Sequence, residues 1–227
     1  MLGIPVSASY VRNVLVGAGV PPAPQRDELS WRAFLRQHAA SMLACDSFSV
    51  ETVTLQRLYV LFFISLATRR LEYIACTTNP DGRWMTQQAR KLVMQLDDGR
   101  PSSRYLIHDR DGKFSRGFDG LFASEGVTII RTPVRAPNAN AYAERWVGSS
   151  RRECLDRLLI FNRRQLERVL RVYVRYSNGH RPHRALDLRP PAPVAAAATA
   201  GTPPSPATNI ERCDRRGGLL HEYRAAA

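Results

Sequence analysis

Three acidic residues, Asp46, Asp109 and Glu144, are the candidates for chemistry in this chain. Asp46 and Asp109 each follow an apolar run, residues 41–45 and 105–108, and Glu144 lies in the expected opening turns of a helix. Two strands and a helix can bring carboxylates together around divalent cations, which prefer oxygen ligands. Two such ions about 3.5–4 Å apart can hold both oxygens of a phosphodiester displacement. The sequence therefore predicts a site for two Mg²⁺ (or Mn²⁺) ions.

The charge of the chain favours a polyanionic substrate. Its 227 residues include 33 Lys+Arg against 20 Asp+Glu, which gives a formal net charge of +13. Almost all of the excess is arginine, whose planar fork pairs well with phosphate oxygens. A balance this basic is typical of nucleic-acid-binding proteins. It is also compatible with an ordinary basic protein that binds no nucleic acid.

Each acidic residue has an alternative interpretation. Asp46 is also compatible with a turn at a strand end. Asp109 competes with Asp111, because residues 108–112 also fit a plain Asp-Gly turn. Glu144 alone would be a solvated residue near the favourable end of a helix dipole. Three such residues in these contexts point more strongly to a shared site than any one of them does.

The elements that must position these residues form a mixed α/β pattern. Strands are predicted over residues 42–50, 55–67, 70–77, 104–108 and 127–131. Helices are predicted over residues 6–16, 28–40, 84–96 and 118–124, from a cap at Asn138 or Asn140 to about 159, and over 164–176. The first three strands are expected to pair as an antiparallel meander, and the last two to add in parallel through helical crossovers. Asp46 is expected on the central strand, with Asp109 on its neighbour.

Several other classes of protein are disfavoured. The four cysteines form no CxxC pair, so a zinc knuckle is not predicted and reduced thiols in the cytoplasm fit better. His180 and His183 flank Pro182, which disfavours a helical metal pair. No signal peptide or membrane span is predicted, because the longest apolar run, residues 58–66, is too short.

Four segments carry a resemblance to a known family. They are Cys45-Asp46, Ile107-His108-Asp109-Arg110-Asp111-Gly112-Lys113-Phe114, Asn138-Ala139-Asn140-Ala141-Tyr142-Ala143-Glu144-Arg145, and Tyr176-Ser177-Asn178-Gly179-His180-Arg181-Pro182-His183. Together they resemble the integrase catalytic core of bacterial insertion-sequence transposases and retroviral integrases. Asp109 and Glu144 are 35 positions apart, close to the interval in that family. The resemblance covers roughly residues 40–190.

The resemblance implies a fold and an activity. The fold would be α/β and ribonuclease H-like, with a mixed five-stranded sheet flanked by helices. Asp46, Asp109 and Glu144 would be the metal-binding triad, with Asp109 preferred over Asp111 because Phe114 follows it by five positions, as in the family. The enzyme would cleave one DNA strand and join the freed 3′-hydroxyl to target DNA. Its partners would be transposon ends, target DNA and further copies of itself, at least as a dimer.

The same resemblance suggests a division of the chain and a DNA path. Residues 1–39 would be a truncated helix-turn-helix remnant with a linker helix, 40–190 the catalytic core, and 191–227 a Pro/Ala-rich flexible tail. A bacterial cytoplasmic, nucleoid-associated location would follow. The residues expected on the DNA path are Arg110, Arg131, Arg135, Asn140, Arg145, Arg151 and Arg152. A merely solvated helix face is the alternative for Arg145 and Arg152.

Two other functions fit the sequence. One is a catalytically silent DNA-binding fragment of a decayed mobile element. The other is a nuclease of the same fold that cuts DNA without joining it.

Overall fold

The computed structural model describes residues 7–19, 31–97, 103–132, 140–192, 210–215 and 217–225. The chain divides into two compact units, residues 1–36 and 37–227. Helix α1 spans Ala8–Gly17 and begins where the Ser7 hydroxyl accepts the Tyr10 N–H. Helix α2 spans Trp31–His38. Whether the first unit is a helix-turn-helix remnant stays a prediction, as do the predicted domain boundaries.

A five-stranded sheet in the order β3-β2-β1-β4-β5 organises the second unit. Its strands are β1 (Met42–Glu51), β2 (Arg57–Ser65), β3 (Leu71–Thr77), β4 (Tyr105–His108) and β5 (Thr128–Arg131). Strands β1, β2 and β3 form an antiparallel meander, and β4 and β5 add in parallel beside β1. The predicted meander and the predicted parallel addition of the last two strands are therefore confirmed, and β1 lies at the centre of the sheet.

Four helices accompany the sheet. They are α3 (Gly82–Asp97), α4 (Arg116–Ser124), α5 (Ala141–Glu153) and α6 (Arg163–Gly179). Helix α5 is shorter than the predicted run to about residue 159. It ends because the backbone at Cys154 leaves helical values (φ −140°, ψ −63°) and a 3₁₀ turn, Leu155–Arg157, follows.

The two faces of the sheet are packed differently. On one face, side chains of β1, β2 and β4 form a core with α3 and α4. Its buried members are Leu43, Cys45, Leu61, Phe63, Met85, Ala89, Leu92, Leu106, Phe114, Phe118 and Phe122. On the other face, Trp146 of α5 packs against Phe48 and Phe62, with ring centroids 6.1 and 4.4 Å away. Tyr173 of α6 extends this second cluster.

A hairpin lies within the segment that composition predicts to be a flexible tail. Strands β6 (Ile210–Arg215) and β7 (Leu220–Ala225) pair antiparallel. Arg215 forms a diagonal ion pair across the two strands with the buried Glu222 (3.1 Å), and such pairs stabilise neighbouring strands. The Pro/Ala composition of residues 191–206 does not extend to these strands. Across the ranges that the structure describes, no helix has the length and apolarity needed to cross a bilayer.

Candidate active site

The register of β1 and β4 brings Asp46 and Asp109 to neighbouring positions. The parallel pairing ends with Ala44 opposite Ile107. Continuing the same register by two residues sets Asp46 opposite Asp109, and neighbouring strands lie about 4.8 Å apart. Asp46 is not at a strand end, because β1 continues beside β2 to Glu51. It lies just beyond the point where the pairing with β4 stops.

Strand alternation sets these two carboxylates on the α5 face of the sheet. Successive side chains of a strand point to opposite faces. Cys45 and Leu106 belong to the core with α3 and α4, so Asp46 and Asp109 face the other way. Phe48, two residues after Asp46, contacts Trp146 of α5, which agrees with this orientation.

Glu144 is carried by a helix that is anchored next to Asp46. The Asn140 side-chain amide donates a hydrogen bond to the Cys45 carbonyl (3.1 Å), and Asn140 is 6% exposed. Asn140 occupies the N-cap position of α5, but its side chain makes no capping bond. Glu144 follows one turn later and is exposed. Asn138, the other predicted cap, lies outside the described residues.

Asp46 is in an environment that disfavours its charge. The pKa of Asp46 is raised to about 6, chiefly because burial disfavours the carboxylate. A hydrogen bond from the Ser47 N–H (2.7 Å) opposes this rise. The negative charges of Asp109 and Glu144 add to it, whereas the positive charge of Lys113 reduces it. The three predicted carboxylates therefore share one electrostatic neighbourhood.

Asp109 and Asp111 differ in how far their charges are compensated. Asp109 accepts the Asp111 N–H (3.0 Å). Asp111 accepts the Lys113 N–H (3.0 Å) and forms an ion pair with the Lys113 ammonium. Burial alone would raise the pKa of Asp111, but hydrogen bonds and charge from Lys113 outweigh it and lower the pKa. This pairing favours Asp109 as the carboxylate that is available to a cation.

Lys113 is the site residue that sequence reasoning missed. Its ammonium pairs with Asp111, lies 5.9 Å from the Tyr59 ring centroid and influences Asp46. Its position four residues after Asp109 in a predicted loop gives no periodic signal. The only sequence clue is its place within the 107–114 segment. Among the described positively charged residues near the triad in sequence, Lys113 is the one whose charge lowers the pKa of Asp46.

His108 serves the opposite face from Asp109. It is 1% exposed, and its Nε2 lies 3.0 Å from Asp119 Oδ1. Its ring packs on Phe114 with centroids 4.5 Å apart. These contacts indicate that His108 packs in the core of the α3/α4 face.

The donor set fits a hard divalent cation, although the side chains are not gathered around one. Asp46, Asp109 and Glu144 offer only carboxylate oxygens, which suit Mg²⁺ or Mn²⁺. Burial is the main cause of the raised pKa of Asp46, and the negative charges of Asp109 and Glu144, which a cation would neutralise, add to it. Across the described ranges, no three His, Cys, Asp or Glu side chains are already clustered as a metal site. The two-ion site stays a prediction.

The two described arginines on the predicted DNA path after β4 and in β5 have different intramolecular partners. Arg110 donates from Nε to the Thr132 carbonyl (3.0 Å). Arg131 forms an ion pair with Asp119. Both side chains remain largely exposed. Arg135 lies outside the described residues.

The polar residues of α5 divide into structural and exposed groups. Arg151 donates to the Ser49 carbonyl (2.7 Å) and lies over the Phe48 ring, so it fastens α5 to β1. Asn140 is buried in the same interface. Arg145 and Arg152 are exposed on the outer surface of the helix. Whether any of these residues contacts DNA stays a prediction.

The segment 176–183, singled out by resemblance, acts as a structural brace. The Asn178 side chain accepts the Leu71 N–H (2.9 Å) and donates to the Leu71 carbonyl (3.0 Å). Arg181 donates to both Glu153 oxygens, at 2.8 Å from Nε and 2.6 Å from Nη2. These bonds tie the end of α6 to β3 and to the end of α5.

The comparisons with known proteins agree with this architecture. The family model described as integrase core domain matches residues 125–191. That span includes Glu144 and the 176–183 segment, but neither Asp46 nor Asp109. No curated protein matches the chain by sequence.

Similar solved structures are integrase and transposase domains. A chain of the simian T-cell lymphotropic virus intasome in complex with PP2A regulatory subunit B56 gamma is 12% identical, with 82% of this chain and 67% of that chain covered and a TM-score of 0.54. The catalytic domain of Mos1 mariner transposase is 9% identical, with 68% and 84% covered and a TM-score of 0.51. A structure of the Mos1 transposase catalytic domain and Raltegravir with Mg is 12% identical, with 65% and 77% covered and a TM-score of 0.53.

These findings define the class of fold. The five-stranded mixed sheet with its flanking helices is the ribonuclease H-like fold of integrase and transposase catalytic domains. The family match and this likeness together confirm the resemblance to the integrase catalytic core.

Proposed function

We propose that this chain is the catalytic core of a transposase or integrase that cuts and joins DNA strands with the help of divalent cations. The observation that carries the proposal is the meeting of Asp46 and Asp109 on one face of the sheet, next to the helix that carries Glu144. The fold and the net charge of +13 agree with an enzyme that acts on DNA.

Asp46, Asp109 and Glu144 would hold the cations. When bound, Mg²⁺ or Mn²⁺ would polarise a phosphoryl oxygen and help to generate the nucleophile. The remaining contributions come from the chain itself. Asp46 has a pKa of about 6 and must be deprotonated to bind a cation. Cation affinity would therefore rise as the pH increases through about 6.

The neighbouring residues would keep the carboxylates in place. Asn140 fixes the start of α5 against β1, and thereby the position of Glu144. The Asp111 N–H restrains the Asp109 carboxylate. Lys113 neutralises Asp111, so that Asp111 does not add a further negative charge to the site.

DNA would approach over the basic surface beside α5. Arg145 and Arg152 are the exposed cations of that helix, and Arg110 and Arg131 are exposed after β4 and in β5. Guanidinium groups in such positions pair with phosphate oxygens and fix the DNA without reading its sequence. The proposal also includes that the chain forms oligomers and that its DNA substrates are transposon ends and target DNA.

Strand-transfer assays with purified variants test the triad. Asp109→Asn and Glu144→Gln are each expected to lower the rate of joining by about a thousandfold, because cation stabilisation of the transition state is worth several kcal/mol. Glu125→Gln, an exposed carboxylate at the end of α4, is the matched control and should join normally. Asp111→Asn should also keep activity. Joining at the unaltered rate by Asp109→Asn or Glu144→Gln would defeat the assignment.

A second function is favoured by the charge of the chain. A DNA-binding protein without catalysis is the second candidate, because the net charge of +13 and the exposed Arg145 and Arg152 would attract DNA with or without a metal site. A gel-shift experiment run beside a nicking assay separates the two. Binding without Mg²⁺-dependent nicking supports the silent protein, and nicking without joining supports a nuclease of the same fold.

A further inference from the structure

A cleft lies beside α5, on the flank of the helix opposite Glu144. Its volume is about 470 Å³, and its α5 residues include Tyr142, Arg145 and Trp146. These side chains share one side of the helix, because residues three and four apart lie on the same side. Glu144 is rotated by about half a turn from that side, since each residue advances 100°. The cleft is thus distinct from the predicted triad.

The lining of the cleft is basic and lacks acidic residues. Arg69, Arg145 and Arg184 line it, and no aspartate or glutamate does. Within the described ranges, none of these three arginines has an ion-pair partner. Arg181 also lines the cleft, but its charge is taken up by Glu153. The cleft therefore carries a net positive charge that an anion would compensate.

Two residues that line the cleft each carry a buried donor without an acceptor. Trp146 is 5% exposed, and its Nε1–H has no hydrogen-bond partner among the described residues. The same is true of Nη1 of Arg69, whose guanidinium lies 3.9 Å from the Tyr142 ring centroid. A buried donor without an acceptor is unfavourable, because it has lost its hydrogen bond to water. Such donors are usually satisfied by water, an ion or a ligand.

The backbone of Arg69 adds to the case for a built site. Arg69 has φ of 62°, in the left-handed region that non-glycine residues rarely adopt. Its guanidinium is held in place by Tyr142, and the Trp146 ring is held by Phe62 at 4.4 Å. Two donors fixed in this way, with further arginines around them, suit a ligand with several negatively charged oxygens.

We infer that this cleft binds a phosphate of the DNA backbone, with Trp146 and Arg69 donating to its oxygens. DNA as the source of that phosphate rests on the proposed function. Helix α5 is about 10 Å wide with its side chains, and DNA advances about 3.4 Å per nucleotide along each strand. A strand that reaches the triad on one flank of α5 would reach the cleft on the other within about three or four nucleotides.

DNA binding by the full chain tests the inference. Fluorescence anisotropy would follow a labelled double-stranded oligonucleotide at several salt concentrations, in EDTA. Arg69→Asn removes the charge while keeping a residue that tolerates a positive φ. It should weaken binding about tenfold and reduce the salt slope by about one. Trp146→Phe should weaken binding about fivefold with an unaltered slope, because it removes a donor and no charge.

The control variant is Arg175→Gln. Arg175 is an exposed arginine of α6 that does not line the cleft, so its loss should leave the affinity and the slope close to those of the wild type. If Trp146→Phe does not fold, the double variant Arg69→Asn/Arg184→Gln replaces it and should reduce the slope by about two. Wild-type affinity and slope for Arg69→Asn would overturn the inference.

Titration with inorganic phosphate at constant ionic strength identifies the source of the ligand. A tryptophan-fluorescence response that is lost in Trp146→Phe and Arg69→Asn, while both variants keep wild-type affinity for DNA, would show a free-phosphate site and overturn the DNA assignment. Because the binding assay needs no divalent cation, it is independent of catalysis. If the cleft variants weaken DNA binding as expected but the wild type shows no strand transfer, the proposed function is wrong and the inference about the cleft stands.

Discussion

Two adjacent residues at the end of β4 have opposite environments. His108 is buried on the α3/α4 face, where it contacts Phe114 and lies within hydrogen-bond distance of Asp119. Asp109 is half-buried on the α5 face, where its charge raises the pKa of Asp46. One step along the backbone thus separates a histidine that is buried in the core from a carboxylate that lies beside other carboxylates.

The contrast extends over both faces of the sheet. The α3/α4 face is filled with aromatic side chains around Phe118, and its polar groups are paired. The α5 face leaves carboxylates close together without full compensation, which costs stability. Such unfavourable charge arrangements are typical of functional sites. We expect substitutions on the α3/α4 face to lower the free energy of unfolding. Substitutions of the carboxylates on the α5 face should instead lower the rate of DNA joining.

The largest difference should come from Asp109→Asn. The substitution keeps the shape of the side chain but removes a negative charge from a site where like charges repel. Joining should fall about a thousandfold, whereas the free energy of unfolding should stay constant or rise. Strand-transfer rates and urea unfolding of the same preparation measure both. A large loss of stability would place Asp109 with the structural residues.

Phe118→Ala should produce the converse result. Phe118 is fully buried between Phe114 and Phe122, with ring centroids 5.1 Å from each. Its truncation should lower the free energy of unfolding by about 4 kcal/mol, because it leaves a cavity in the core. Urea denaturation measures the loss. Phe161→Ala, at a side chain that is 57% exposed, is the control and should change stability by less than about 0.5 kcal/mol.

Asp46→Asn should stabilise the protein in a pH-dependent way. The folded pKa of about 6 lies above the ordinary value of 3.8, so the folded state holds the proton more tightly. Stability from this group is therefore lost as the pH rises from about 4 to about 6. In EDTA, the variant should gain about 3 kcal/mol over the wild type near pH 7 and much less near pH 4. An equal gain at both pH values would contradict the raised pKa.

The smallest effect is expected from His108→Asn. The variant loses the contact with Asp119, which keeps its ion pair with Arg131. The free energy of unfolding should fall by about 1 kcal/mol, the usual worth of one such hydrogen bond. Joining per folded molecule should be unaltered. A loss of joining as large as that of Asp109→Asn, at intact stability, would remove the distinction between the two faces.

The sheet could be predicted because its signals are local. The apolar runs around residues 42–50 and 55–67 predict strands β1 and β2, and the short polar turn at 68–70 predicts the antiparallel connection between β2 and β3. Short helical crossovers then require the last two strands to add in parallel. Once β1 is central and β4 is its neighbour, the closeness of Asp46 and Asp109 follows from the register.

The roles of individual polar side chains could not be predicted, because they depend on distant partners. Asn140 is a predicted cap of α5, but its side chain bonds a carbonyl 95 residues earlier instead. Arg151 bonds a carbonyl 102 residues earlier, a contact that the sequence does not predict. The DNA contacts expected of both residues stay predictions. The hairpin β6–β7 was missed because a Pro/Ala-rich stretch precedes it and charged residues dominate it. No periodic signal encodes any of these contacts.

The bonds between Asn178 and Leu71 bear on how the molecule avoids unwanted association. Strand β3 is an edge strand of the sheet, and the unpaired backbone groups of an edge strand can pair with a strand from another molecule. Asn178 occupies both the N–H and the carbonyl of the first residue of that strand. A single amide side chain thereby occupies one potential starting point for aggregation, where the first residue of β3 meets the C-terminal end of α6.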